Sequence, residues 1–285
     1  MGDERLSWLD RWWLYRDRLI ASPRVQRWAL ANPLTRPVAQ RRARGMLDLC
    51  AGFVYSQALF TCVRLRLFDI LFKGPLTIAA LAERLLLSPE ATSRLLDAAV
   101  SLGLAERRGR SVYGLGQLGA ALAGNRAALS LIEHQPLLYA DLQDPVALLR
   151  GSPRGTGIAR YWPYSAATHP TELTAPMPDG ADVISLIRIV HDHDDASAVT
   201  LLRAVHRALP PNGTLLIAEA MSGVGGAEPL DAYYGFYTLA MGRGEPRTVA
   251  EISRLLRQAG FSRFRLLRNR MPILTSILVA RRTSS

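Results

Sequence analysis

Residues 191–195 read His-Asp-His-Asp-Asp, and imidazoles interleaved with carboxylates at that spacing can do two kinds of chemistry. An imidazole titrates near neutral pH, so a positioned histidine can take the proton of a hydroxyl group. Alternating His and Asp can also hold a metal ion. A strand end at this spacing offers two ligands, but no Cys, His or Glu set elsewhere in the sequence completes a site, so no metal site is assigned. Asp194 or Asp195 is placed to cap a following helix, with His193 solvated. His191 is placed at the last position of a strand, facing a crevice, as a general base.

The elements around this motif fit that placement. Val183 to Val190 reads as a buried strand and His191 to Asp195 as a polar corner. An amphipathic helix then runs to Leu209, a Pro-Pro-Asn-Gly turn follows, and a second buried strand ends at Glu219. Strand, helix and strand in this order make one right-handed unit of a parallel sheet. Open α/β sheets place their chemistry at the carboxyl ends of their strands, which is where His191 falls.

The glycine-rich loop that opens such sheets is not upstream. Gly114 to Gly119 spells GLGQLG, but the segment before it, RRGRSVY, is too short and charged for a central strand. GVGG at 223–226 follows a strand but opens no immediate helix.

The chain has 285 residues, about two domains' worth, and 49% hydrophobic content, enough for real cores. No run of about 18 apolar residues stands out, so no membrane span is expected. The start lacks the apolar stretch of a secretory signal, and Cys50 and Cys62 lie in helical-looking apolar sequence as reduced thiols. A cytoplasmic location follows, with contact to a membrane surface as an extension of it. The net charge is +11, and residues 1–45 contribute +6 of it through ten arginines against Asp3, Glu4, Asp10 and Asp17. This basic arm also carries Trp8, Trp12, Trp13 and Trp28. It reads either as a dimerisation arm or as an interfacial helix on an anionic membrane.

Residues 46–73 form a long apolar helix pattern broken near Arg64. From Leu76 to Leu115 a helix capped by Thr77, a second helix started by Ser88-Pro89, and two strand-like pieces around Arg107 to Arg110 make a winged-helix module. The second helix offers few base-reading side chains, and Glu90 and Asp97 oppose phosphate, so DNA binding is the weaker reading of it.

The central stretch resembles the S-adenosylmethionine-dependent O-methyltransferases that carry an N-terminal winged-helix dimerisation domain. The matching residues are Arg188, Ile189-Val190, His191-Asp192, Ala208-Leu209-Pro210, Gly213 and Glu219. HDHDD, with GFYTLAMGRGEPRT further on, is most similar to the bacterial hydroxyneurosporene (carotenoid) O-methyltransferases. The resemblance implies S-adenosylmethionine as cofactor, a homodimer, and a small apolar hydroxyl acceptor. It implies that His191 removes the acceptor's proton as oxygen attacks the sulfonium methyl, and that Glu219 orients or polarises His191. Arg188 would lie against the cofactor, and Tyr161, in RYWPY, would cover it. Glu245 lies near a second acidic position, but Pro246 takes the aligned place.

One segment of that family's pattern is missing. About 16 residues separate Tyr164 from Ala181, whereas a single strand–helix–strand unit needs about 30. The expected fold is therefore a basic arm (1–45), a mainly α winged-helix dimerisation domain (46–165) and a Rossmann-like α/β methyltransferase domain (166–285). The last is truncated to about four strands: 183–190, 214–219, 264–268 and 275–280. Three functions follow from it: an O-methyltransferase lacking its cofactor loop, a catalytically inactive dimerising remnant, or a winged-helix DNA-binding regulator.

Overall fold

The computed structural model describes residues 7–151, 155–162, 177, 180–272 and 274–283. They divide into two compact units, 1–133 and 134–285.

The first unit begins with three helices, α1 (Trp8–Ala21), α2 (Pro23–Ala31) and α3 (Arg36–Arg64). Ser7 and Asp10 form a capping box at the start of α1, each satisfying the other's main-chain N–H. No residue of α1 or α2 is buried. The apolar helix begins earlier than its composition indicates, with Pro37 in its first turn. It ends near Arg64 as expected, because Arg66 adopts a left-handed conformation at φ 55°. One helix has the length and hydropathy of a spanning segment, which the expectation based on an apolar run did not pick out. α3 contains an 18-residue window of mean hydropathy 1.4, long and apolar enough to cross a membrane, and only 11% of that window is buried. Its interspersed polar residues hide this from a search for an unbroken apolar run.

After α3 come α4 (Leu67–Phe72), β1 (Leu76–Thr77), α5 (Ile78–Leu85), α6 (Pro89–Ser101), β2 (Ala105–Arg107) and β3 (Val112–Leu115). The unit closes with α7 (Gln117–Ala123) and α8 (Arg126–Glu133). Thr77 and Ser88 cap α5 and α6 by accepting the N–H of Ala80 and Ala91. Strands order β1-β3-β2, all antiparallel, which gives the helix, helix and hairpin order expected of this segment. Leu67, Phe68, Leu81, Leu96 and Tyr113 centre its core. GLGQLG has a packing role: a Cβ on Gly119 would sit 2.0 Å from the carbonyl oxygen of Leu104, so only glycine lets α7 approach the hairpin.

The second unit starts at α9 (Gln135–Asp141), α10 (Pro145–Leu149) and α11 (Gly157–Tyr161). These short helices share a core with Tyr237, Ala240 and Met241. The second compact unit therefore begins at His134, upstream of residue 166, where the methyltransferase domain is expected to start. Residues 163–176, where the missing segment is expected to fall, lie outside the described residues.

Four strands follow: β4 (Val183–Ile187), β5 (Thr214–Glu219), β6 (Arg263–Leu267) and β7 (Ser276–Arg281). Their order is β4-β5-β7-β6, with β4 parallel to β5 and the remaining pairs antiparallel. α12 (Asp195–Ala208) joins β4 to β5. α13 (Glu228–Met241) and α14 (Val249–Gln258) lie between β5 and β6. Leu186, Leu215, Ile217, Leu278 and Ala280 line one face of the sheet. They pack with Val199, Leu202 and Val205 of α12 and Ile252, Leu255 and Leu256 of α14. The other face is thinly covered: Val183, Ser185 and Ile187 of β4 are all exposed on it. The four-strand expectation holds with small shifts at the ends. The exception is β4, which stops at Ile187 because Arg188 turns left-handed at φ 55°.

Candidate functional site

The site is a turn held from several sides. After Arg188 the chain makes a 3-10 turn, Val190–Asp192, and all three of its residues are buried. His191 therefore sits in this turn and not on the strand itself. Asp194, just beyond, caps α12 by accepting the N–H of Ser197 at 2.8 Å, as the spacing indicates. That hydrogen bond also holds the Asp194 carboxyl below its ordinary pKa. His193, expected in solvent, is buried instead, and burial lowers its pKa.

His191 lies with its Nε2 3.1 Å from Oδ1 of Asp192. This contact favours the Nε2–H tautomer and leaves the lone pair on Nδ1. Burial acts to lower the His191 pKa. The hydrogen bond to Asp192 and the charges of Glu219 and Asp192 outweigh it, and the net shift is upward. Asp192 is thus the imidazole's carboxylate partner, a role the sequence alone did not assign.

Glu219 ends β5 and is 1% exposed. Its Oε1 accepts the main-chain N–H of Val190 at 2.7 Å. Burial raises its pKa, against the opposing charge of His191 and the N–H groups of Val190 and His191. Glu219 consequently holds the backbone of the turn and acts on the ring through space.

Arg188 donates from Nη1 to the hydroxyl of Tyr234 at 3.1 Å, and the Tyr234 ring lies 5.9 Å from that of His191. Tyr161 is 49% exposed and stacks on His134 at 5.5 Å. It belongs to an aromatic group with Trp162, whose Nε1 donates to Tyr237 at 2.8 Å. Tyr233 and Tyr234 continue this group along α13 toward His191. Arg188 thus meets this aromatic wall at its His191 end, and Tyr161 lies at the other end, away from the turn.

The residue that sequence reasoning missed is Arg247. Its side chain is 1% exposed, and its guanidinium bridges both shoulders of the turn. Nη1 donates to the Val190 carbonyl at 3.0 Å, Nη2 to the His193 carbonyl at 2.8 Å, and Nε to Asp195 at 2.9 Å. Gly244 crosses close beside it. The Glu245 N–H reaches the His191 carbonyl at 2.9 Å, and a Cβ on Gly244 would fall 2.2 Å from that oxygen. Glu245 itself points its carboxylate at Arg247, 3.4 Å away. The cluster GRGEPRT therefore braces the turn, and its one signal in sequence was its place within the resembled segment GFYTLAMGRGEPRT, which gave Arg247 no role.

Among the described residues no group of three or more His, Cys, Asp and Glu side chains is arranged to hold a metal. In the first unit, Arg107 pairs with Asp97 at 2.6 Å and Arg108 with Glu106 at 2.8 Å, so two of the wing's arginines already have acidic partners.

A buried histidine at the carboxyl end of a mixed sheet, following a helical domain with a β-hairpin, is the architecture that the resemblance implies. Comparison with known proteins gives the family. Residues 167–262 match the O-methyltransferase domain and residues 47–125 the O-methyltransferase dimerisation domain. The demethylspheroidene O-methyltransferase of Cereibacter sphaeroides is 31% identical over 361 aligned positions, covering 94% of each chain. That of Rhodobacter capsulatus is 30% identical, covering 93% of this chain and 88% of its own. Mouse acetylserotonin O-methyltransferase is 31% identical, over 82% of this chain and 87% of its own. Human N-acetylserotonin methyltransferase in complex with SAM shares the fold at a TM-score of 0.67 and 20% identity, covering 85% of this chain and 98% of its own. The chain belongs to the O-methyltransferase family that carries an N-terminal dimerisation domain. The alignment with the Cereibacter relative is longer than the 285 residues of this chain.

The described residues fit the family's cofactor on one side only. His191, Glu219 and Arg188 lie together at the carboxyl ends of β4 and β5. However, β4 is the edge of the sheet. Among the described residues no strand beside it ends in a glycine turn or an acid that could hold a ribose. Those are the features by which such sheets bind nucleosides. S-adenosylmethionine is the cofactor of this family, present in the human structural neighbour, and the described residues alone do not include such a glycine turn or acid beside β4.

Proposed function

We propose that this chain keeps the acceptor half of an O-methyltransferase site and not its cofactor half. It binds a small apolar molecule bearing a hydroxyl group, carotenoid-like in character, and the hydroxyl donates a hydrogen bond to Nδ1 of His191, the atom that would take its proton only as a methyl donor reacted with the oxygen. The carrying observation is the braced turn: His191 on Asp192, with Glu219 and Arg247 fixing the main chain on either side. Holding a base in one geometry is what general-base chemistry requires. The aromatic wall of Tyr161, Trp162, Tyr233, Tyr234 and Tyr237, its rings packed edge to face or tilted, offers an apolar lining that reaches the turn at Tyr234. The names of the Cereibacter and Rhodobacter relatives support a carotenoid-like acceptor.

Loss of the cofactor half is supported by the edge position of β4 and by an alignment longer than the chain itself. The functional form is a dimer, supported by the dimerisation-domain match and by the largely uncovered α3. The Trp-rich arm is the peripheral contact of a cytoplasmic protein with an anionic membrane, where an apolar acceptor resides. Trp8, 75% exposed, and Trp12, 56% exposed, stand with Tyr15 and Leu19 on one side of α1.

The test is fluorescence titration with a polyene alcohol and with its methyl ether. Saturable binding of the alcohol, weaker for the methyl ether and weakened in His191→Gln, is expected. Absence of saturable binding contradicts the reading.

A further inference from the structure

The two edges of the four-stranded sheet are built differently. The β6 edge carries Arg263 and Arg265, the kind of charge that keeps an open edge from pairing. The β4 edge reads Val-Ile-Ser-Leu-Ile, without charge or proline, and Val183 and Ile187 are 60% and 59% exposed.

The main chain of β4 has a definite polarity toward that edge. The Asp182 carbonyl accepts from the Thr214 N–H at 2.8 Å, and the Arg188 N–H donates to the Ala218 carbonyl at 2.9 Å. Even-numbered residues therefore turn their main-chain groups toward β5. By the alternation of a strand, Val183, Ser185 and Ile187 turn theirs to the open side. Among the described residues β4 pairs with β5 alone.

We propose that this edge pairs with β4 of a second copy of the chain, antiparallel and centred on Ser185. In that register Val183 meets Ile187 of the partner subunit, and Ser185 meets Ser185 of the partner subunit. Every outward donor and acceptor of the three residues is then exchanged in hydrogen-bonded pairs. The same register brings exposed Asp182 to the end of the seam where the strand of the partner subunit gives way to the exposed Arg188 of the partner subunit, so opposite charges lie near both ends. A one-residue slip turns inward-facing groups to the seam, and a two-residue slip loses the charge match. The interface is isologous, as a two-fold pair requires. It is distinct from the dimerisation-domain contact, so it joins dimers into larger assemblies. It does not depend on what the His191 site binds.

Cross-linking in a Cys50→Ser background tests it, because Cys50 is exposed and Cys62 is buried. Residues in a hydrogen-bonded antiparallel pair stand about 5.5 Å apart at Cα, within disulfide reach. Ser185→Cys is expected to form disulfide-linked pairs on mild oxidation. Val183→Cys alone is expected to stay unlinked, but to link when mixed with Ile187→Cys chains. Ile187→Lys, an exposed change whose folding is checked by circular dichroism, is expected to lower the mass in solution roughly twofold. The proposal is overturned if Ser185→Cys stays unlinked, if Val183→Cys links to itself as readily as to Ile187→Cys, or if Ile187→Lys leaves the mass unchanged.

Discussion

Arg247 donates through Nη1 to the carbonyl of Val190, 57 residues earlier, and through Nη2 it also holds the far side of the same turn. A guanidinium that is 1% exposed and satisfies two main-chain carbonyls is part of the turn's framework. Removing it strands those two carbonyls and leaves the partly exposed Asp195 without its inner partner. Arg247→Ala should therefore cost about 2–5 kcal/mol in urea unfolding, from two main-chain acceptors left unsatisfied. Arg247→Lys should recover only part of this, because an ammonium lacks the planar fork. A loss under about 1 kcal/mol for Arg247→Ala would contradict the assignment.

Gly244 and Gly242 separate strain from clash. Both have positive φ, 84° and 73°, but only Gly244 faces the His191 carbonyl, while nothing lies within 4 Å of a Cβ on Gly242. Each change to alanine incurs about 1–3 kcal/mol of backbone strain. Gly244→Ala should be the more destabilising of the two and should move the His191 ring resonances, whereas Gly242→Ala should leave them in place. Equal effects on stability and spectra would remove Gly244 from the site.

His191 and His193 should titrate on opposite sides of an ordinary imidazole. Burial lowers both, but Asp192 and Glu219 lift His191 above its usual value, whereas His193 stays below. The stability that His191 contributes is present in full below about pH 6.5 and is lost as pH rises through its folded pKa. Chemical denaturation across that window should show this decline in the wild type and not in His191→Gln. Nuclear magnetic resonance titration of Asp192→Asn should show the His191 pKa falling. A rise would place its control elsewhere.

Much of this site was legible in the sequence, and the illegible parts share a cause. His191 and Glu219 follow from a strand–helix–strand pattern, because apolar runs bounded by a polar corner and a Pro-Asn-Gly turn fix where strands end. Arg247 did not follow, because it is one arginine among many and its role depends on a contact far along the chain. The left-handed turns at Arg188 and Arg66 also carry no local signal, since neither position is glycine. The start of the second unit at His134 arises from α9–α11 packing onto α13, which no periodicity within those short helices announces.

Ser7 caps α1 through a complete box with Asp10, so the arm is a formed helix before any partner is met. Ser7→Ala should lower its helicity and cost about 0.5–2 kcal/mol locally. Binding of the full chain to vesicles rich in anionic lipid, and its loss on raising salt, should weaken in Trp8→Ser/Trp12→Ser. Equal binding to neutral vesicles would contradict an electrostatic contact.

The central claim, that the acceptor half of the site persists without the cofactor half, is tested most directly by calorimetric titration of the purified 285-residue chain with S-adenosylhomocysteine. The account predicts no saturable binding up to a dissociation constant of about 1 mM. Saturable binding in the micromolar range would show that the chain builds a nucleoside cradle after all, and would contradict it.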